Sequence, residues 1–158
     1  MNPSEVLLLA LLIGAVSGLR SFTAPATVAW GAHLKWLNLH YTRLAFMGST
    51  ASVVIFTLLA VFELIMDKLP STPSRLKPRG MFARIILGAL SGACLAAAGM
   101  QSIALATVLG AVGAVAGAFA GYALRTGLVK ALKVPDFVIA VLGDALAIAA
   151  GLLIASRF

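Results

Sequence analysis

The segment Phe137–Ser156, FVIAVLGDALAIAAGLLIAS, decides the class of fold to which this chain belongs. As an α-helix, its twenty residues are long enough to cross the roughly 30 Å hydrocarbon core of a bilayer. Asp144 is the only charged residue in the segment. Because an ionisable side chain costs roughly 3 kcal/mol or more inside a membrane, we expect Asp144 to face a partner, a cavity or a bound ion. The segment therefore predicts a membrane-spanning helix that carries one buried charge.

Further apolar segments predict an all-α integral membrane protein with five to six transmembrane helices. Residues 85–124 contain no charge, and as one helix they would be about 60 Å long, so they must fold back. Gly99–Ser102 is the predicted turn, since it combines a helix-ending glycine with a polar segment. The predicted spans are residues 5–23, 46–67, 82–99, 103–124 and 136–156.

The segment 21–37 has three possible arrangements. Pro25, Gly31 and two tryptophans favour a short broken helix, which either re-enters the membrane or lies at its interface. If the segment crosses instead, it is the sixth span. The segments 68–84 and 125–133 carry eight of the twelve basic residues, which favours the cytoplasm for both. Five spans then place the N-terminus in the cytoplasm as well, and six place it on the other side.

The composition favours a single membrane domain over residues 1–158. Hydrophobic residues make up 61% of the chain and charged residues 11%, whereas soluble domains are nearer half and a quarter. A basic, proline-rich linker at residues 69–81, predicted to be extended and cytoplasmic, joins a first half, 1–68, to a second half, 82–158. Glu5 precedes the first apolar segment in place of a basic region, which favours an uncleaved first span. We expect the protein to be located in the bacterial inner (cytoplasmic) membrane.

The two halves share short phrases. Residues 13–18 read IGAVSG and residues 87–92 read LGALSG, and each half ends in an apolar helix with a carboxylate, Glu63 or Asp144. Two diverged copies of a three-segment unit would be inverted in the membrane, as in many transporter folds. Chance matches of glycine and alanine are the alternative.

Glycines recur at a spacing of four residues, close to one helical turn. Such stripes let helix backbones approach closely, so we expect them mainly to pack helices. Lining a narrow path is the alternative, and a homodimer through such faces is compatible with them. The candidate packing glycines are Gly14, Gly18, Gly88, Gly92, Gly113, Gly117 and Gly121.

The candidate functional site is a set of charges within the apolar segments: Arg20, Glu63, Asp67 and Asp144. Glu63 and Asp144 are expected at similar depth, where they could share a proton or hold a cation, or where Arg20 could pair with one of them. With five spans Arg20 lies toward the far face, and only a bent or re-entrant segment after it would allow direct contact with the carboxylates. The alternatives to an ion or solute pathway are a structural ion-pair network and recognition of lipid headgroups.

The start of the 21–37 segment offers another interpretation of Arg20. The sequence Arg20-Ser21-Phe22-Thr23 could be a broken helix end whose amides face an anion. The simpler interpretation is an arginine that reaches the interface next to a helix cap.

Other classes of site have little support. Two histidines and one cysteine predict no metal site, and we expect no cofactor and no enzymatic activity. His33 and His40 are interpreted as hydrated surface residues. The net charge of +7 indicates topology and contact with anionic lipid, since no basic face with readout or stacking residues predicts nucleic-acid binding. Candidate contacts to anionic lipid headgroups are Arg75, Lys77 and Arg79.

Three phrases resemble the bacterial membrane proteins of the domain of unknown function 4126 family. They are SGLRSFTAP at residues 17–25, Glu63 followed by DKLPSTPSR at 67–75, and Pro135-Asp136 before an acidic last helix. The resemblance implies a small polytopic membrane protein without an established activity. The family pattern often has an acidic residue before the aspartate of the last helix, and this chain has Gly143 there.

Two functions follow as expectations. The first is a small transporter or channel-like protein that uses the buried charges for a cation, a proton or a small solute. The alternative is a non-catalytic scaffold or lipid-interacting protein, in which the buried charges are structural ion pairs.

Overall fold

A computed structural model describes residues 1–67, 78–133 and 135–158. These residues form only helices and connecting turns, without a strand, which confirms the all-helical class. The helices are α1 Pro3–Leu19, α2 Thr23–His33, α3 Thr50–Met66, α4 Pro78–Ala98, α5 Ile103–Leu132 and α6 Asp136–Ala155, and a 3₁₀ turn, Ala45–Gly48, precedes α3.

Three of the helices are long and apolar enough to cross a bilayer: α4, α5 and α6. The helices α1 and α3 are also apolar but have 17 residues each. Because 17 residues span about 25 Å at 1.5 Å per residue, these two are at the lower limit for a membrane span. The lengths and composition are consistent with an integral membrane protein.

Several helix ends follow from local sequence. Pro3 and an Asn2–Glu5 capping box begin α1. The predicted turn joins α4 to α5, with Met100 in the left-handed conformation and Ser102 capping α5. Pro135 precedes α6, which begins at Asp136 as predicted.

Two helices extend beyond the predicted spans. The helix α5 continues past residue 124 to Leu132, and Arg125 within it donates to Asp136 of α6. The last residues of the predicted linker, from Pro78, form the first turn of α4, a position that suits proline. Residues 69–77 of that linker lie outside the described residues.

The helices α1, α4 and α5 form the central bundle, with α1 parallel to α5 and antiparallel to α4. Gly14 of α1, Gly88 of α4 and Gly110 of α5 meet where the three helices cross. The predicted packing glycines lie in these contacts: Gly18 against Ala114, Gly92 against Ala106, Gly113 against Leu11, Gly117 against Ala15 and Gly121 against the side chain of Leu19. Cβ atoms at these positions would overlap the neighbouring helix, so the glycines set the helix separation.

The chain reverses direction after α1, and α2 runs back beside α3 and α6. Trp30 Nε1 donates to Thr57 Oγ1 at 3.0 Å, which joins α2 to the antiparallel α3. Gly31 lies against Ala155, and Gly151 lies against Thr27, so α2 and α6 are parallel. Most residues of α2 are buried. The segment 21–37 therefore contains a buried helix, α2, which pairs with α1 as a helical hairpin and packs against α3 and α6.

This reversal sets the direction of the whole chain. Near its start α1 contacts the end of α4, where Val6 lies against Gly99. At its end it contacts the start of α4, where Ser17 Oγ donates to the Arg84 carbonyl oxygen at 3.0 Å. Asp67 lies at this second end, beside Arg20. We call the first end, with Val6 and Gly99, the N-terminal end, and the second the linker end. The six helices therefore alternate in direction between these two ends.

Candidate functional site

Arg20 is the centre of a buried charge cluster at the linker end. It follows α1 in an extended conformation, and only 2% of its surface is exposed. Its Nε donates to Asp144 Oδ1 at 2.5 Å, and Nη2 pairs with the same carboxylate. Its Nη1 pairs with Asp67. One guanidinium thus connects the end of α1 to the end of α3 and the middle of α6.

The structure brings three of the four predicted charges into direct contact, namely Arg20, Asp67 and Asp144. Direct contact was expected only if the chain bends or re-enters after Arg20, and the structure has such a bend and this contact. Because the chain turns back immediately after α1, Arg20 occupies the tip of the α1–α2 hairpin. That tip faces Asp67, the residue that follows α3, and Asp144, two turns into α6.

Glu63 contacts the backbone at the tip of the α1–α2 hairpin. Its carboxylate accepts hydrogen bonds from the backbone amides of Ser21 at 2.8 Å and Phe22 at 2.9 Å. These amides lie immediately before α2, where a negative charge is favoured by the unpaired N–H groups and the helix dipole. The broken helix end after Arg20 therefore faces an anion that the protein itself supplies. Glu63 thus contacts backbone amides of the hairpin, whereas Asp144 contacts the guanidinium of Arg20.

Arg84 also belongs to the cluster, although its sequence position groups it with the basic residues of segment 68–84. It lies in α4 with only 5% of its surface exposed, within electrostatic range of Glu63 and Arg20. Ser17 Oγ fixes the backbone nearby, through the Arg84 carbonyl oxygen. Pro78 could have indicated that Arg84 is buried, because proline favours a helix start and a helix that begins there contains Arg84 nearly two turns from its start.

Among the described residues the cluster contains two guanidinium groups and three carboxylates, contributed by α1, α3, α4 and α6 and the residues that end them. Burial of a charge is costly unless it is paired and hydrogen-bonded. Removing one partner of a buried ion pair typically costs about 3–5 kcal/mol. The cluster can therefore hold the four helices together or exchange charge, and loss of Arg20 would strongly lower the stability of the fold.

Two apolar grooves flank the cluster. The first, of about 340 Å³, lies between α5 and α6, with Arg20 in its wall. Arg125 Nε donates to Asp136 Oδ1 at 2.7 Å across the same pair of helices. The second groove, of about 370 Å³, lies between α2, α3 and α6. The buried Thr23 hydroxyl is in its wall and has no hydrogen-bond partner among the described residues. Small molecules of apolar character could approach the cluster from either side.

The remaining predicted residues lie away from the cluster. Arg75 and Lys77 fall outside the described residues, and Arg79 is exposed on the first turn of α4. His33 and His40 are exposed at the N-terminal end. In the described part of the chain no group of three or more His, Cys, Asp and Glu residues could hold a metal ion.

Comparisons with known proteins assign a family and no activity. Neither the curated proteins nor the solved structures contain a significant match. A family model does match, over residues 7–156, which is nearly the whole chain and includes Arg20, Glu63, Asp67, Arg84 and Asp144. With that coverage the chain belongs to the family described as Domain of unknown function (DUF4126).

Proposed function

We propose that this protein is a small transporter or channel-like protein of a bacterial inner membrane, and that Arg20, Asp67 and Asp144 form its proton- or cation-responsive centre. The observation that carries the proposal is one buried guanidinium shared by carboxylates from two other helices. No enzymatic step is part of the proposal.

The shared guanidinium lowers the free-energy cost of neutralising either Asp67 or Asp144. If a proton or cation neutralises Asp144, Arg20 still has Asp67, so no buried cation is left without a counter-ion. The same holds when Asp67 is neutralised. Since the two carboxylates lie on α3 and α6, moving Arg20 between them changes how these helices are held. A solute entering through the α5–α6 groove would meet Arg20 directly.

The membrane arrangement that supports this proposal has six segments. The helices α3, α4, α5 and α6 cross, and the α1–α2 hairpin enters from the N-terminal end and places Arg20 at its tip. The basic linker then lies in the cytoplasm, and the N-terminus lies on the other side. The antiparallel contact of Gly14 with Gly88 joins the two similar phrases and supports two inverted three-segment units.

Flux measurements test the proposal. We expect Asp144→Asn in proteoliposomes to lower proton or cation flux by about tenfold or more, since a positioned proton-transfer group contributes at least that. Glu5→Gln is the matched control because it neutralises an exposed carboxylate at the other end of α1. Unchanged flux in a folded Asp144→Asn protein would contradict the proposal.

The scaffold alternative has its own supporting observation. Glu63 caps α2 through two hydrogen bonds, so at least this charge holds the hairpin in place. In this case Glu63→Gln and Asp144→Asn lower the melting temperature, and the wild-type protein shows no flux above that of empty vesicles. Neutralising Arg75, Lys77 and Arg79 then weakens binding to anionic vesicles. An unchanged melting temperature in both carboxylate variants rejects this alternative.

A further inference from the structure

A depression of about 350 Å³ lies at the N-terminal end, on the opposite side of the molecule from Arg20. It is formed between the end of α2, the 3₁₀ turn and the start of α3. Its wall contains three basic or titratable side chains, those of His33, Lys35 and His40, together with Gly48 and Ser49. The volume falls within the range of small-molecule sites.

His33 is oriented for a ligand by its backbone contact. Its Nδ1 lies 3.0 Å from the Gly48 carbonyl oxygen. Because a carbonyl can only accept a hydrogen bond, Nδ1 must carry the proton that is shared there. The other ring nitrogen, Nε2, is then available to a ligand, and it donates to a phosphate oxygen when the ring is an imidazolium. The ring also packs edge-on against Trp30, with the centroids 6.4 Å apart, which limits its rotation.

Lys35 occupies a backbone position that favours glycine. Its φ is 63°, and its amide donates to the Ala32 carbonyl while the Trp36 amide donates to that of Gly31. These bonds form a Schellman motif, in which the left-handed residue is usually glycine. A lysine there carries a conformational cost that glycine would avoid, and such outliers cluster at functional sites.

The electrostatic environment of the depression favours an anion. No acidic residue is among its described lining residues. The sequence from Val6 to Phe62 contains neither Asp nor Glu. The start of α3, capped by Ser49, adds the positive end of a helix dipole.

We propose that this depression binds a phosphate group through Lys35, His33 and His40, either as the headgroup of an anionic phospholipid or as a soluble phosphate compound. The two tryptophans next to it, Trp30 and Trp36, are partly exposed, as is typical of the headgroup region. The site is separate from the Arg20 cluster, so the inference does not depend on the proposed transport function.

The decisive variant is Lys35→Gly. It removes the ammonium group but places a favoured residue in the left-handed position, so the protein should fold with an equal or higher melting temperature. Lys133→Gly is the matched control: Lys133 has φ 52° at the end of α5, on the linker side of the molecule. Both variants make the same chemical change in the same backbone conformation, but only one alters the depression.

Intrinsic fluorescence reports binding without a label, because the only two tryptophans of the chain flank the depression. The protein is placed in phosphatidylcholine nanodiscs and titrated with inorganic phosphate, and in a second arm phosphatidylglycerol is added to the nanodiscs. We expect Lys35→Gly to weaken the response about fivefold, while Lys133→Gly and Lys35→Arg keep the wild-type response. His33→Gln should also weaken it.

The two arms identify the source of the phosphate. A response to inorganic phosphate indicates a soluble ligand, and a response that requires phosphatidylglycerol indicates a lipid headgroup. Absence of a response in both arms overturns the inference. Equal weakening by Lys35→Gly and Lys133→Gly overturns it as well, because the effect would then reflect only net charge.

Discussion

Arg20 owes its two partners to its place at the tip of the α1–α2 hairpin. Asp67 follows α3 and Asp144 lies within α6, so its partners come from distant parts of the chain. The effect of a substitution here depends on which member is removed. Loss of Arg20 leaves two carboxylates without their shared cation, whereas loss of one carboxylate leaves the other pair intact.

We therefore predict unequal losses of stability. Arg20→Gln should lower the free energy of unfolding by about 3–5 kcal/mol, the usual cost of breaking a buried ion pair from one side. Asp67→Asn should cost less, because Arg20 keeps Asp144 and the amide can still accept a hydrogen bond. Unfolding in mixed detergent micelles measures both, and equal losses would show that the carboxylates are not alternative partners.

At the scale of the helices, glycines determine how closely α1, α4 and α5 pack. A Cβ atom at Gly14 would overlap the carbonyl group of Gly110, which is backbone and cannot move aside alone. In contrast, a Cβ atom at Gly143 would meet open space. Glycines in this chain thus have different roles according to the surface that they face, although their local sequences are similar.

We predict that alanine substitutions at these two glycines have different effects on stability. Gly14→Ala should destabilise the bundle by about 1–3 kcal/mol, since α1 and α5 must separate. Gly143→Ala should be neutral or stabilise by up to about 1 kcal/mol, because alanine is the better helix former. Both values come from the same unfolding titration. A neutral Gly14→Ala would argue against the close helix crossing.

At the scale of the whole molecule, the N-terminus lies at one end of the bundle, and Asp67 and Pro78, which flank the undescribed segment, lie at the other. The residues of the proposed phosphate site lie at the N-terminal end, and so does Asn38, whose side chain accepts from the His40 amide. The carboxylates of the Arg20 cluster lie toward the linker end. The two proposed sites should therefore face different compartments.

Cysteine accessibility tests this arrangement. In a Cys94→Ala background, which removes the one buried native thiol, we expect Ser4→Cys and Asn38→Cys to be labelled from the same side of sealed vesicles. Arg79→Cys should be labelled only from the other side. Ala106→Cys is the buried control and should not react. Labelling of Ser4→Cys and Arg79→Cys from one side would restore the five-span arrangement.

Features that depend on neighbouring residues were predictable. The long apolar segments predicted the helices, Gly99–Ser102 predicted the turn, and Pro135 predicted the start of α6, because capping and hydrophobicity act within a few residues. Apolar patterning also indicated that Asp144 needs a partner. It did not identify the partner, because nothing local to α6 contains that information.

The partners were decided by contacts between distant segments. The direction of α2 placed Arg20 between Asp67 and Asp144, and gave Glu63 the amides of Ser21 and Phe22. The crossing of α1 and α4 buried Arg84. Apolar neighbours in the sequence show that a charged residue is buried and that its burial is costly. The counter-charge that offsets this cost must lie within a few ångströms, so only the tertiary packing of distant segments determines which residue supplies it.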